Sequence, residues 1–178
     1  MSNLIAEVNS KDKIIGFSDK ESIHAKGLLH RAFSIFIFNS KGNLLLQQRS
    51  LGKYHTPGLW TNTCCSHLPK DMEMEKAACL RLKEEMGFNA ELKHIKTFHY
   101  RVQFENGLIE NEIDHIYVGF YNQEPKPNPS EVAKYKWVDL PTIEKEIELH
   151  PEEFTYWFKH IIKHYYQELI AASKMLIE

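Results

Sequence analysis

The chain has 178 residues and a formal net charge of −2, with 43 % apolar and 26 % charged residues. That length makes a single domain, 1–178, able to bury about 70 % of its unfolded surface, and the near-neutral charge gives no electrostatic basis for nucleic-acid or membrane-surface partners. The longest apolar runs cannot cross a bilayer, the start MSNLIAEVNSKDK lacks the pattern of a signal sequence, and three cysteines, two adjacent, make no disulfide framework, so a reducing cytoplasm is expected.

Residues 1–20 read as a short strand and turn, with Ile14, Ile15 and Phe17 apolar and residues 18–20 breaking away. Residues 30–39, HRAFSIFIFN, are apolar on both faces, as in a buried central strand. A turn at Lys41-Gly42 leads to LLLQQR, a partner strand ending at Arg49. Residues 56–67, TPGLWTNTCCSH, fit no regular period; Pro57 and Gly58 break structure, and the residues that follow are those of a functional loop. Asp71 is placed to N-cap a helix running to Met86 and stopped by Gly87. On that helix Ala78, Cys79, Leu82 and Met86 share an apolar face that Glu75 interrupts. Glu85 lies on its shoulder beside Arg81, and Glu84 points away. Residues 90–104 alternate as a strand, Glu105-Asn106-Gly107 turns, and residues 108–121 return. Pro125, Pro127 and Pro129 mark a loop before the short strand YKWVDL. Two helices finish the chain, the last over 151–177 with an apolar stripe through Phe154, Trp157, Phe158, Ile161 and Tyr165. This order predicts an α/β (α+β) fold, a mixed sheet flanked by helices.

The sharpest chemical signal lies in LIENEIDHIYVGF. Leu108, Glu110, Glu112, Asp114, Ile116, Val118 and Phe120 share one strand face, acidic at one end and apolar at the other. If the apolar part faces the core, Glu110 and Glu112 enter one cleft, where buried carboxylates need a metal, a cation or a proton. A solvated acidic end of an edge strand gives the same pattern. Ten histidines are a high count, and His24, His30 and His67 with the two carboxylates make an N/O donor set suited to Mn, Fe, Mg or Zn, provided the fold unites them. Taken singly, each is an ordinary hydrogen-bonded histidine; His160 and His164 read as surface residues. Adjacent Cys64 and Cys65 project to opposite sides of an extended chain, so only one can face a given cleft for acid–base work. Cys79 reads as a buried inert thiol. Arg49, Lys53 and Lys20 could hold an anion, or simply be solvated.

Glu84-Glu85-Met86-Gly87 resembles the end of a Nudix box, but the places of its upstream Gly, Glu, Arg and Glu hold Ser66, Met72, Leu80 and Arg81. A hydrolase needing the whole acidic set is disfavoured, and Arg81 with Glu85 would make an i,i+4 ion pair. The segments DKESIHAKGLLHRAFSIFIFN, LLLQQRSLGKYHTPGLWTNTCCSH, RLKEEMGF, YRVQFENGLIENEI and FTYW together resemble the type I isopentenyl-diphosphate isomerases over nearly the whole chain. The resemblance implies a Nudix-like domain in which His24, His30, His67, Glu110 and Glu112 bind one divalent metal (Mn²⁺, Zn²⁺ or Mg²⁺). It further implies that Glu85 helps hold a Mg²⁺ on the substrate diphosphate. Lys20, Arg49, Lys53 and Arg81 would line the phosphate site. Cys65 would stand on one side of the alkene, with Glu110 and Tyr100 on the other, and Trp157 would face a carbocation. The expected partner is a small isoprenoid diphosphate, and the chain a monomer or homodimer. Two other readings stay open: a Nudix diphosphohydrolase, which would release phosphate, and a metal-stabilised binding domain, which would unfold without metal.

Overall fold

The computed structural model describes residues 3–53 and 55–177. Two antiparallel strands, β1 (Leu4–Val8) and β2 (Ile14–Asp19), open the chain. Asp19 does not break away as expected. It ends β2, and its carboxylate caps a helix that the sequence reading omits, α1 (Lys20–Lys26), by accepting from Ser22 N at 2.8 Å.

The central strand β3 (His30–Phe38) lies between β4 (Leu44–Arg49), β6 (Cys64–His67) and β1 on its antiparallel side and β8 (Ile109–Phe120) on its parallel side. The two-residue strand β5 (Trp60–Thr61) and β9 (Val132–Val138) pair with β4, and β7 (Leu92–Gln103) closes the far edge against β8. The sheet is therefore mixed, as expected.

Alternation on β3 sorts two cores. Phe33, Ile35 and Ile37 face helix α2 (Met74–Met86), packing with Ala78, Leu82 and Met86. Phe36 and Phe38 face the other layer, formed by α3 (Leu140–Leu149) and α4 (Tyr156–Ile177), with Leu140, Ile143, Trp157, Phe158 and Ile161. Helices thus cover both faces of the sheet, which explains why β3 is apolar on both sides.

Several boundaries differ from the expectation. Asp71 does not cap α2; it sits at φ 62°, and the helix begins three residues later behind Glu73, which makes no side-chain cap. Glu75 lies in the first turn of α2 and is exposed, so it does not interrupt the buried face. The last helix starts at Tyr156, because Pro151–Glu153 forms a separate turn of 3-10 helix and Phe154 is extended although buried. Tyr165 breaks the helical backbone of α4, with φ −129°. Phe120, expected inside, is exposed at the last position of β8. Gly87 ends α2 as expected, at φ 79°, and a side chain there would meet the carbonyl of Lys126 at 2.2 Å.

Candidate active site and metal centre

The face of the sheet that packs against α4 is apolar along most of its length and polar at one end. There β3 contributes His30, Ala32 and Ser34, β8 contributes Glu110, Glu112 and Asp114, and β6 contributes Cys65 and His67. All three carboxylates are buried, so the solvated edge-strand reading does not hold. The segment 56–67, expected as irregular loop, is partly strand, and its polar residues hold it in place. Asn62 Nδ2 donates to the carbonyls of Ile35 and Cys64, and Thr63 Oγ1 to that of Leu45 at 2.6 Å. Trp157 Nε1 donates to Thr61 Oγ1 at 3.1 Å, fixing α4 to the same segment.

His24 comes from α1, His30 from β3 and His67 from β6, and the fold brings them together with ring centroids 4.9–5.2 Å apart. His24 Nδ1 donates to the Lys20 carbonyl at 2.7 Å and His30 Nδ1 to the Leu28 carbonyl at 2.8 Å. In neutral rings this leaves both Nε2 atoms as lone-pair acceptors pointing inward. They face another acceptor: Glu110 Oε2 lies 3.2 Å from His24 Nε2 and 3.7 Å from His30 Nε2, and none of the three atoms has a hydrogen-bond partner. Buried acceptors converging on one point require a proton or a cation between them. His24, His30, His67 and Glu110 offer ligand atoms all within 4.8 Å of one another, a group fit to hold a metal ion. Glu112 closes the set, its Oε1 lying 3.0 Å from His67 Nε2 and 3.3 Å from His30 Nε2.

Arg81 and Lys53 gather on the other side of the cavity. Arg81 bonds Glu84, Glu85 and Glu131, and Lys53 pairs with Glu131 while lying 3.9 Å from Glu85. Glu85 is buried, as its place on the helix shoulder suggests, and its Oε2 accepts from Gln47 Nε2 at 2.8 Å. Two cations thus meet three carboxylates, so a diphosphate entering here brings uncompensated charge that a further cation must neutralise. Lys20 is exposed overall but lines the cavity; burial at that wall, then Lys53 and Arg49, lower its ammonium pKa. Arg49 differs from the expectation. Its Nε and Nη2 donate to the carbonyls of Thr56 and His55 at 3.1 and 2.8 Å, its Nη1 lies 3.9 Å from Cys65 Sγ, and its Cζ sits 5.5 Å from the Trp157 ring centre. It clamps a loop as well as lining the cavity.

The comparisons with known proteins agree with this fold and decide the family. A NUDIX domain model matches residues 28–158. A Deinococcus radiodurans crystal structure superposes with TM-score 0.75 at 15 % identity, over 90 % of this chain and 97 % of that one, which speaks for the fold. An isopentenyl-diphosphate Delta-isomerase of Serratia proteamaculans is 47 % identical over 92 % of this chain and 91 % of its own. The isopentenyl-diphosphate Delta-isomerase 2 of Photorhabdus laumondii is 48 % identical over 91 % of this chain and 92 % of its own. The chain belongs to the isopentenyl-diphosphate Delta-isomerase family.

In this family member the cavity walls include Cys65, Glu110, Glu112, Trp157, Arg49, Lys53 and Arg81. Its volume is about 70 Å³. Burial and the neighbouring Glu112 raise the Glu110 pKa well above the ordinary range. Burial acts on Glu112 too, but the close approach of His30 and His67 outweighs it and holds that carboxyl low. One carboxyl keeps a proton and its neighbour is ionised. Burial lowers His67 to about 3 and so keeps its imidazole neutral and free to ligate.

Two sequence expectations change here. Tyr100 is fully enclosed and donates to Glu112 Oε2 at 2.6 Å instead of lining the cavity, so it reaches the reacting space through that carboxylate. Burial raises Cys65 to about 12, only partly opposed by Arg49, so the side chain expected to do acid–base work rests as a thiol. The sequence reading also missed His55, Ser34, Gln47 and Glu131. Ser34 could have been found by its register on β3, since it shares a face with His30; its hydroxyl donates to Asp114 Oδ2 at 2.8 Å. His55, Gln47 and Glu131 had no periodicity to mark them.

Proposed function

We propose that this single domain interconverts isopentenyl and dimethylallyl diphosphate by moving a proton onto C4 and another off C2, through a tertiary carbocation, in isoprenoid biosynthesis. The observation that carries this reading is the buried meeting of His24 Nε2, His30 Nε2 and Glu110 Oε2, without hydrogen bonds, beneath a small cavity walled by Cys65 and Trp157. Named relatives at 47 and 48 % identity support the same substrate.

His24, His30, His67, Glu110 and Glu112 would hold one divalent metal. When bound, that ion supplies positive charge that makes a coordinated carboxyl a stronger acid. Glu110, whose surroundings favour its protonated form, would take up a proton again once substrate is in place and deliver it to C4. Glu112 is kept in place by Tyr100, His30 and His67. The indole face of Trp157 stabilises the cation. Cys65 would accept the C2 proton as a thiolate; burial keeps its resting thiol protonated, and the charge of bound cations together with Arg49 would release that proton. Walls that exclude water protect the cation from capture. Arg81, Lys53 and Lys20 orient the diphosphate, and Glu85 would help hold a Mg²⁺ that accompanies it; no phosphate bond is broken. An N/O set of this kind accepts Mn²⁺, Zn²⁺ or Mg²⁺.

Proton NMR of the chain with isopentenyl diphosphate and divalent metal in D₂O is the test. Dimethylallyl diphosphate carrying deuterium is the expected product. Release of inorganic phosphate or a monophosphate without alkene migration would replace this reading with a hydrolase.

A further inference from the structure

His55 is the buried histidine that neither the donor set nor the phosphate clamp uses. It lies between β4 and β5, its backbone carbonyl accepting from Arg49 Nη2 at 2.8 Å. Its ring stands edge-on to Phe104 with centroids 4.4 Å apart, and 6.3 Å from both His24 and Trp157. The residue is 6 % exposed, and neither ring nitrogen has a hydrogen-bond partner. Leaving an imidazole sealed and unpaired is costly. Nε2, however, lies 3.3 Å from Glu110 Oε1.

Glu110 is therefore divided. Its Oε2 faces His24 and His30, while its Oε1 faces His55 from the opposite side. His55 approaches the centre through Glu110, its Nε2 lying against Oε1 while His24 and His30 lie against Oε2. A carboxyl free at one oxygen can rotate about its terminal bond, turn bidentate, or swing away from a metal. A partner on the second oxygen removes that freedom, and outer partners of ligating groups typically tune metal affinity or activity about 10–100-fold.

We infer that His55 is a positioning residue for Glu110, holding Oε1 through Nε2 so that Oε2 alone is presented to the three imidazoles. This rests on the metal reading given above. One proton shared between Nε2 and Oε1 satisfies both buried atoms. The backbone clamp from Arg49 and the edge contact with Phe104 keep the ring from following Glu110 when the carboxyl moves.

The test compares the full chain with His55→Ala and His55→Gln, the glutamine amide being able to place an N–H near the site of Nε2. Mn²⁺ alone is titrated into metal-free protein by calorimetry, and the Mn²⁺ EPR spectrum is recorded for each; thermal melts establish that both variants are folded. The expected result is a Mn²⁺ affinity for His55→Ala lower by roughly 10–100-fold and an altered EPR line shape, with His55→Gln close to wild type. In turnover, kcat should fall for His55→Ala while KM for isopentenyl diphosphate stays within about twofold, again recovered by glutamine. Unchanged Mn²⁺ affinity and EPR spectrum in His55→Ala would overturn the inference. So would a change in KM alone, or a glutamine variant as impaired as alanine, or a wild-type chain that binds no Mn²⁺. A wild-type chain that binds Mn²⁺ in a His55-dependent way but moves no double bond would leave this inference standing and defeat the isomerase reading.

Discussion

His30 and Glu112 are register partners on the parallel strands β3 and β8, and their side chains meet with Nε2 3.3 Å from Oε1. The same carboxylate takes the hydroxyl of Tyr100, its partner on β7, and His67 from β6. Four strands thus converge on one side chain. Glu112→Gln keeps the shape and removes the charge, so it should lower metal affinity about 10–100-fold and abolish most turnover while the chain stays folded. Elemental analysis after metal loading, with circular dichroism, checks this. Wild-type metal content together with wild-type turnover would show that the convergence has no part in binding.

Glu84 and Glu85 both bond Arg81, but Glu85 is buried between Gln47, Arg81 and Lys53, and Glu84 is half-exposed at the rim. Glu85→Gln should raise the Mg²⁺ concentration that half-saturates activity several-fold. Glu84→Gln should leave it within about twofold, as the loss of a rim ion pair is worth about 0–1 kcal/mol. Superimposable Mg²⁺ titrations for the two variants would remove Glu85 from the Mg²⁺ site.

The adjacent cysteines fall into different layers. Cys65 lines the cavity with His67, two residues on, while Cys64 is completely enclosed among Phe33, Ile35, Leu45 and Leu82 in the layer beneath α2. Cys65→Ser should keep metal and substrate binding and lose kcat by orders of magnitude. Cys64→Ser should keep its catalytic constants yet lose about 1–3 kcal/mol of stability, a larger cost than partial burial implies, because the hydroxyl meets an apolar core. Steady-state kinetics and urea melts separate the two. An inactive Cys64→Ser beside an active Cys65→Ser would invert the assignment.

Proton accounting gives a fourth prediction. Burial and the charge of Glu112 raise the Glu110 pKa, which favours a proton there in the metal-free site, whereas His67, lowered to about 3, holds none. A proton bound below a raised pKa must leave when a cation takes its place, so metal binding near pH 7 should release about one proton and strengthen about tenfold per pH unit until pH passes the Glu110 value. Calorimetry in buffers of different ionisation enthalpy measures it. Binding with no net proton release, and no pH dependence over this range, would show Glu110 ionised already.

The long periodic segments were legible in the sequence because burial sets their pattern directly. Residues 30–39 had to be apolar on both faces once helices covered both sides of the sheet, and the parity of Glu110, Glu112, Ile116 and Val118 fixed which face they share. Parity likewise separated Cys64 from Cys65. Helix α1 was not legible: seven residues give too few turns to show a stripe, and its cap at Asp19 looked like a break. Asp71 misled because a good capping residue at positive φ cannot start a helix. The convergence of His24, His30 and His67 depends on three separate elements, so no spacing rule reports it. His55 and Gln47 are invisible for a like reason, since each matters only through the carboxylate it meets.

The parallel pairing of β3 with β8 also bears on how the molecule comes to exist. Ser34 and Asp114, bonded across that pair, are 80 residues apart in the chain. Contacts so distant in sequence close late, because their loop entropy must be overcome before they contribute anything. The donor set lies at the end of this pairing, so it can form only once the slowest part of the chain has closed. A cation captured there would leave the folding rate nearly untouched and act on the unfolding rate, lengthening the lifetime of the finished molecule.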